Sequence, residues 1–513
     1  MTSHSYYEYL EFDGERFFTA VLLPQSEGAF PTVIIRSPYV SDQKEKSEES
    51  ILSALLAGYK IWLDRGYAVV SQHCRGQGKS TGAFIPYVHE REDGLFLRRW
   101  IREQSFYNGE FYLVGGSYTS SLHYETAPFE SDVKGAVLEI QDCERYRLWY
   151  RNGQMRKGHA NWHFGLYKDK CGLNKTHSMA SFSQLPLKGL SQRVLGDCAE
   201  DFEQMLEAED PSSPFWSTRN GGCDTRGAVR DANIPVLLTT GYNDFYVGGV
   251  FNMWNSMERS TREISALLVS PYDHGDGYVH GRSIRFPLGR RSESFGNYAV
   301  DWLDHIRLGT PIPFEKGVIT YYRAFEDGWA SDFYARQTAD LNIPLGEGEA
   351  SFVYDPADPP AFPPEGFLKD GAERGDVLTV YTPVFDSDVF IKGKMRAHLT
   401  VRSDAQDTAF YVNVSVQKPE GYYTLRHDIT SLCYQLGDYT PGSEVELDFE
   451  FDEHAFLVRT GERLRVDISS TDDNTYVCHT NNKGKYYLQT DTRTATNTVC
   501  LDRSRIILPC EVS

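Results

Sequence analysis

Residues 112–121 read YLVGGSYTSS, an apolar run that ends in two glycines and a serine, Ser117. The residues that end this strand form either a tight turn that needs small residues or a nucleophile elbow. In a nucleophile elbow a serine is held on a sharp strand-to-helix turn. The usual elbow pattern is G-x-S-x-G, and Thr119 stands where its last glycine is expected. The motif alone leaves both interpretations open, and the rest of the chain has to separate them.

The composition is that of a folded globular protein. The chain has 513 residues, of which 40% are hydrophobic and 24% charged, with a formal net charge of −20. The length suggests about three domains. The acidic balance argues against a nucleic-acid partner, because phosphate binding relies on clustered Lys and Arg. The sequence has no apolar run of transmembrane length and no signal-peptide pattern at its start, so we expect neither a membrane partner nor secretion.

The cysteines point to a reducing compartment. There are nine, scattered along the chain without a C-x-x-C pair. An odd number in a long chain is not typical of a disulfide framework or of a zinc ribbon. We therefore expect reduced thiols and a cytoplasmic location. The oligomeric state is not readable from the sequence, which leaves room for a homo-oligomer.

Four segments differ in their patterns. Residues 1–145 alternate strand-like and helix-like stretches, which predicts βαβ units and a mostly parallel sheet. Residues 146–230 lose the β-branched character and are interpreted as a helical insertion, or cap. The α/β pattern returns over residues 231–334. Residues 335–513 begin with proline-rich punctuation and continue as short strands with turns between them, which predicts a β-sandwich or jelly roll.

Two later strand ends offer the partners that a catalytic serine needs. Asp244 follows the run PVLLTTG, and His274 follows SALLVS. Serine is a poor nucleophile at neutral pH, so a histidine must take its proton while an aspartate orients the imidazole. The chain order Ser, Asp, His is that of α/β hydrolases. This order favours the elbow and predicts Ser117 as nucleophile, Asp244 as acid and His274 as base, with Asp273 as a competing acid.

The negative charge that develops on a substrate carbonyl oxygen needs hydrogen-bond donors already in place. The first is expected to be the backbone N–H of Tyr118, directly after the nucleophile, and the second comes from the loop after the third strand. That loop has no HGGG-like motif but contains Tyr39, whose hydroxyl could donate. The residues leave open the alternative that Tyr39 is a core side chain packed under a turn.

Several stretches resemble one known family. They are RSPY (36–39), RGQGKSTGAF (75–84), the elbow, GYNDFYVGG (241–249) and PYDHG (271–275). Together they resemble the cocaine-esterase-type hydrolases of the CocE/NonD group, which are related to X-Pro dipeptidyl-peptidases and α-amino-acid ester hydrolases. The resemblance covers nearly the whole chain.

This resemblance implies a fold and a site. The fold is an α/β-hydrolase core with an inserted helical cap and a C-terminal all-β jelly-roll domain. The site would use the three residues given above as its triad, with Tyr39 joining the Tyr118 amide as the oxyanion hole. Two positions depart from the family. Thr119 replaces a glycine and is expected to crowd the elbow helix against its strand, and Phe106 stands where the family often has Trp.

No metal and no cofactor are expected. His274, Asp276 and His280 lie close in sequence, but a hydrolase base accounts for the first, and the other two lack a third ligand at useful spacing. His159 and His163 share a helical spacing without an acidic partner motif. Cap packing or solvation explains these two histidines better than metal binding does.

The expected function is hydrolysis of an acyl ester or amide through an acyl-enzyme intermediate, with a small-molecule ester, an amide or a short peptide as substrate. One alternative is an X-Pro dipeptidyl-peptidase, which has to anchor a free N-terminus with carboxylates. Another is a non-catalytic ligand-binding protein that uses its jelly-roll surface. The predicted cap carries an acidic run that is either a solvated helix face or the anchor for a substrate α-ammonium group: Glu200, Asp201, Glu203, Glu207, Glu209 and Asp210.

Overall fold

The computed structural model describes residues 5–124, 130–168, 182–196, 199–220, 222–274, 295–326, 328–334, 338–364, 368–369, 374–419 and 421–511. Those between 5 and 144 and between 217 and 321 form one compact unit. Those between 145 and 216 and between 322 and 511 form a second. The predicted segments 1–145, 146–230, 231–334 and 335–513 remain predictions.

The elements up to residue 144 are, in chain order, β1 (Tyr6–Phe12), β2 (Glu15–Leu22), β3 (Phe30–Ser37), α1 (Glu48–Gly58), α2 (Lys60–Asp64), β4 (Ala68–His73), α3 (Glu90–Arg102), β5 (Tyr107–Gly116), α4 (Tyr118–Tyr124) and β6 (Val133–Glu139). The next elements are α5 (Arg145–Trp149), β7 (Tyr150–Arg151), β8 (Gln154–Met155), α6 (Lys157–Lys168), α7 (Leu190–Leu195), α8 (Glu200–Glu207) and α9 (Pro214–Ser217).

The chain continues with α10 (Arg226–Arg230), β9 (Val236–Gly241), α11 (Val247–Ser256), α12 (Arg259–Ile264), β10 (Ala266–Ser270), α13 (Phe295–Leu308) and β11 (Ile319–Arg323). The remaining elements are β12 (Gly328–Asp332), β13 (Thr338–Pro344), β14 (Glu349–Tyr354), β15 (Leu368–Lys369), β16 (Leu378–Tyr381), β17 (Val389–Gly393), β18 (Arg396–Ser403), β19 (Ala409–Lys418), β20 (Gly421–Ser431), α14 (Leu432–Leu436), β21 (Val445–Glu450), β22 (His454–Val458), β23 (Leu464–Ser469) and β24 (Ala495–Glu511).

The first unit is built on a twisted sheet in the order β1-β2-β4-β3-β5-β6-β9-β10-β11. Strands β1, β2 and β4 pair antiparallel, and every later neighbour is parallel. Strands β4, β9 and β10 are buried at every position, as expected of parallel strands covered on both faces. The carboxyl ends of β5, β6, β9 and β10 therefore share one edge of the sheet, where ligand sites of α/β proteins form.

The second unit contains short helices followed by two antiparallel sheets. One sheet has the order β21-β18-β24-β17-β22, with β13 and β14 also paired to β24, and the other has the order β15-β20-β19-β23-β16. A buried cluster that includes Phe362, Tyr411, Ile429 and Tyr476 packs on the second sheet. The all-β character predicted for the C-terminal third is confirmed.

The described residues contain no helix that is both long enough and apolar enough to cross a membrane. Seven of the nine cysteines lie in the described part of the chain, and no disulfide joins them. Cys171 and Cys198 lie outside it.

Candidate active site

Ser117 sits at the turn between β5 and α4 in a conformation that serine rarely adopts. Its φ is +55°, in the left-handed region that non-glycine residues mostly avoid. Its N–H donates to the carbonyl oxygen of Glu139 at the end of β6 (2.9 Å), and α4 begins at the next residue. Such strain persists only where the surroundings hold it, and it clusters at functional sites. The geometry is that of a nucleophile elbow, so the tight-turn alternative is set aside.

The glycines before the serine are needed for close approach. A Cβ atom on Gly115 would lie 2.4 Å from the carbonyl oxygen of Thr119, so any larger residue would push the first turn of α4 away from β5. Thr119 itself does not crowd the helix as expected. Its hydroxyl donates to the Gly116 carbonyl (2.7 Å) and accepts from the Gly116 N–H (2.9 Å). Threonine therefore ties the elbow together at the position where the motif has glycine.

Asp244 and His274 meet Ser117 at this edge of the sheet. Nε2 of His274 lies 3.1 Å from Oγ of Ser117, and Nδ1 lies 3.2 Å from Oδ1 of Asp244. The Asp244 side chain is fully buried, whereas 31% of the His274 side chain is exposed. Oδ1 of Asp244 also accepts from the Tyr246 N–H (2.9 Å). The structure brings Asp244, and not the competing Asp273, to the imidazole Nδ1.

The loops that carry the acid and the base are joined by backbone contacts. The Tyr242 N–H donates to Ser270 O (2.8 Å), and the Asn243 N–H donates to Tyr272 O (3.1 Å). A Cβ atom on Gly241 would lie 2.0 Å from the Tyr272 carbonyl oxygen. Only glycine at this strand end lets the two loops pack so closely, and that packing fixes Asp244 relative to His274.

Two aromatic side chains enclose the imidazole, and the sequence analysis did not find them. The Phe245 ring stacks on His274 with a centroid distance of 4.6 Å and an interplanar angle of 27°. The Tyr246 ring meets it edge-on at 5.1 Å. Phe245 is 40% exposed although it is a large apolar residue. The signal was the aromatic pair directly after the acid, in NDFY, whose role could not be assigned without the position of the ring.

The two residues predicted to supply the oxyanion donors, Tyr39 and Tyr118, are in ring contact. Tyr118 is the first residue of α4, where backbone N–H groups have no partner within the helix. The Tyr39 ring meets the Tyr118 ring edge-on at a centroid distance of 6.5 Å. Tyr39 is 50% exposed, so it is not a core side chain packed under a turn. That alternative is wrong, and the role of the Tyr39 hydroxyl as an oxyanion donor stays a prediction.

The structure gives no metal site among the described histidines that the sequence analysis considered, and some of the residues considered lie outside the described ranges. His163 is buried, and its Nε2 lies 3.0 Å from Asp201. Asp276 and His280 lie outside the described residues. One group in the described part of the chain has metal-ligand spacing, Glu349, Glu444 and Cys500. Arginines already pair with both of its carboxylates, so the donor set does not suit a cation.

Several carboxylates of the acidic run already have hydrogen-bond partners within the second unit. Glu203 accepts from the Gly189 and Ser191 N–H groups and from the Tyr487 hydroxyl. Glu209 accepts from the Tyr486 and Tyr487 N–H groups. These two carboxylates, with the Asp201 that faces His163, organise the local structure. The interpretation of the run as a uniformly solvated helix face is too simple.

Comparison with known proteins identifies the family. The model of the X-Pro dipeptidyl-peptidase (S15 family) matches residues 13–276, and that of the X-Pro dipeptidyl-peptidase C-terminal non-catalytic domain matches residues 325–505. The chain belongs to the S15 family. It is also 23% identical over 544 residues to the cocaine esterase of Rhodococcus sp. (strain MB1 Bresler), a match that covers 92% of this chain and 91% of that protein.

Solved structures share the fold. The aminopeptidase from the marine sediment archaeon Thaumarchaeota archaeon has a TM-score of 0.80 at 16% identity, over 99% of this chain and 97% of that one. An α-amino acid ester hydrolase has a TM-score of 0.80 at 17% identity, over the same shares. The predicted fold class and the family resemblance are confirmed. This S15 family member is a serine hydrolase, as predicted, which goes against the non-catalytic alternative.

Proposed function

We propose that this S15 family member hydrolyses an acyl ester or amide of a small molecule through an acyl-enzyme intermediate on Ser117. His274 acts as general base and then as general acid, and Asp244 orients it. The supporting observation is the imidazole, whose two nitrogens lie 3.1 Å from the serine hydroxyl and 3.2 Å from a buried carboxylate. That arrangement activates a serine and holds the required tautomer.

The chemical steps follow from these positions. Oγ of Ser117 attacks the carbonyl carbon while Nε2 of His274 takes the hydroxyl proton. The resulting negative charge on the carbonyl oxygen is stabilised by the Tyr118 N–H and the Tyr39 hydroxyl. As the tetrahedral intermediate collapses, His274 gives the proton to the departing oxygen or nitrogen. Water then attacks the acyl group with the same proton transfers, which releases the acid and restores Ser117.

A fluorophosphonate probe tests this assignment, because it reacts only with an activated serine. Folded wild-type protein is expected to be labelled at Ser117, and Ser117→Ala is expected to abolish the label. Ser120→Ala is the matched control, since Ser120 is a buried serine of α4 and has no role in the mechanism. Absence of labelling in the folded wild type, or a label at another residue, contradicts the proposal.

Among substrates, we propose esters and amides without a required free amine ahead of X-Pro peptides. A peptidase needs carboxylates that are available to bind an N-terminal ammonium group, and Glu203 and Glu209 already accept two or more hydrogen bonds each. The X-Pro dipeptidyl-peptidase activity named for the family remains the second candidate. Parallel assays of a p-nitrophenyl acyl ester and an X-Pro p-nitroanilide separate the two candidates, and faster turnover of the anilide contradicts our preference for esters and amides.

The cytoplasmic location and the absence of a nucleic-acid partner remain predictions from composition.

A further inference from the structure

The side chain of Tyr118 is buried beneath the elbow, and its hydroxyl both donates and accepts a hydrogen bond. Only 2% of the residue is exposed. Its hydroxyl donates to Oε1 of Glu90 and accepts from the backbone N–H of Tyr87 (3.0 Å). Tyr87 has a φ of +64°, so this hydrogen bond holds a strained turn. The backbone amide of the same Tyr118 is the donor proposed for the oxyanion, so the residue links a buried network to the reacting atoms.

Glu90 is an unusual partner because it is a nearly inaccessible carboxyl group. It is the first residue of α3 and is 3% exposed. Its other oxygen, Oε2, has no hydrogen-bond partner among the described residues. Burying a carboxyl group in this way is costly. Burial also raises the pKa of Glu90 and holds the pKa of Tyr118 well above its usual value, so the tyrosine stays protonated and donates.

The position of Glu90 is fixed from its backbone as well. The Arg36 guanidinium donates to the Glu90 carbonyl oxygen (2.8 Å) and to the Gln72 side chain (3.2 Å). Asp93, one turn further along α3, binds Arg75. These buried charges anchor the start of α3 to the strands β3 and β4, so the carboxyl group offered to Tyr118 is held rigidly.

The ring of Tyr118 also supports the second proposed donor. It packs against Tyr87 at 4.5 Å, against Phe84 at 5.7 Å and against Tyr39 at 6.5 Å. Tyr39 is half exposed, and the contact with the Tyr118 ring restricts its orientation. A shift of the Tyr118 ring would therefore move both oxyanion donors, one through its own backbone and the other through ring contact.

We propose that Glu90 is a positioning residue that, through the Tyr118 hydroxyl, sets the oxyanion donors of Tyr118 and Tyr39 in place. This inference rests on the proposed function. Glu90 touches neither substrate nor Ser117. Its effect is geometric, since a small misplacement of a group that stabilises the transition state lowers the rate without weakening ground-state binding.

The test uses Tyr118→Phe, Glu90→Ala and Glu90→Gln in the full chain. Two quantities are measured: the second-order rate of fluorophosphonate labelling, and kcat and KM for a p-nitrophenyl ester. Tyr118→Phe and Glu90→Ala are expected to lower kcat and the labelling rate about 10- to 100-fold, with KM within about twofold. Glu90→Gln keeps an acceptor oxygen for the hydroxyl and is expected to retain most of the rate.

The double variant and a surface control sharpen the result. Because both residues act through one hydrogen bond, Glu90→Ala combined with Tyr118→Phe is expected to be no slower than the slower single variant. Glu92→Gln, an exposed carboxylate of the same helix, is expected to match the wild type. Should Glu90→Ala fail to fold, Tyr118→Phe, which keeps the ring packing, decides the matter.

Three outcomes overturn the inference, and they differ from failure of the proposed function. If wild-type protein is labelled at Ser117 but Tyr118→Phe reacts at the wild-type rate, Glu90 has no positioning role while the serine hydrolase assignment stands. Additive losses in the double variant, or a loss confined to thermal stability, lead to the same conclusion. If the wild type is not labelled at all, the proposed function fails and this inference fails with it.

Discussion

Oδ1 of Asp244 lies 3.2 Å from Nδ1 of His274, and the aspartate has no solvent exposure while the imidazole retains 31%. A buried carboxylate beside a partly exposed imidazole stabilises the positive charge that forms on the ring during proton transfer. It also fixes Nδ1 as the protonated nitrogen, so that Nε2 is free to accept the serine proton. The pair therefore determines both the tautomer and the orientation of the base.

Asp244→Asn is expected to reduce kcat by about 10⁴, because an amide favours the wrong imidazole tautomer while leaving the geometry intact. The measurement is ester turnover per labelled active site. Asp273→Asn is the matched control, since it changes the neighbouring acid in the same way and is expected to stay within about tenfold of wild type. The reverse order of the two effects would make Asp273 the acid.

Tyr39→Phe tests the second oxyanion donor. Removing one such donor typically costs about 2.7–4 kcal/mol, or 10²–10³ in kcat. KM is expected to change little, because the donor acts on charge that develops in the transition state. Tyr6→Phe, which alters an exposed tyrosine of β1, serves as the control and is expected to be neutral. A Tyr39→Phe enzyme with unchanged kcat would assign the hydroxyl no part in the reaction.

Gly241→Ala is expected to reduce both stability and activity. Its Cβ atom would lie 2.0 Å from the Tyr272 carbonyl oxygen, so the loops after β9 and β10 must separate. Overpacking of this kind costs about 1–3 kcal/mol or more in the free energy of unfolding.

Gly165→Ala in α6 is the control for this substitution, because a Cβ atom there meets nothing within 4 Å. A glycine-to-alanine change inside a helix gains about 0.5–1 kcal/mol. Denaturant unfolding measures both variants. Equal stabilities of the two would show that the loops tolerate a methyl group at position 241.

Glu453 predicts a pH dependence of stability. It is 5% exposed, and burial, with a further contribution from Asp452, raises its pKa from 4.5 to about 7. The folded state therefore prefers the neutral acid. Its contribution to stability is complete below about pH 4.5 and is lost as the pH rises through 7, which amounts to roughly 3 kcal/mol.

Glu453→Gln removes this titration. The variant is expected to be more stable than the wild type at pH 8 and to match it at pH 4, as measured by urea unfolding at both values. Glu446→Gln changes an exposed glutamate with 72% side-chain exposure. It is expected to leave the free energy of unfolding unchanged at both pH 4 and pH 8. If the wild type were more stable than Glu453→Gln at pH 8, the charged form of Glu453 would be stabilised in the folded state.

The sequence could place the triad because parallel strands bring their carboxyl ends to one edge. Ser117, Asp244 and His274 each follow a buried apolar run, so their proximity required only the strand order. Contacts between side chains on different elements were not predictable in this way. The bond from Tyr118 to Glu90 joins positions 28 residues apart and depends on where α3 packs, which no local pattern encodes.

Two local features of the structure differ from what the sequence pattern predicts. The dipeptide Asn152-Gly153 between the short strands β7 and β8 has positive φ values of 47° and 80°, as a two-residue hairpin requires, whereas residues 146–230 are interpreted from the sequence as a helical insertion. Thr119 was expected to crowd the elbow, because threonine is larger than the glycine that the motif has at this position. The space comes instead from Gly115, and the threonine hydroxyl uses it for hydrogen bonds.

The left-handed backbone at Ser117 has a counterpart at the adjacent strand end. Gly116 pairs with Glu139, and the residue after each is left-handed, with Ile140 at a φ of +42°. Isoleucine is among the residues least suited to this conformation. Combinatorial libraries aimed at new substrates should therefore leave positions 115–117 untouched and draw their diversity from Phe245. Ile140→Asn is expected to relieve strain at this neighbouring strand end, because asparagine adopts the left-handed conformation more readily than isoleucine does.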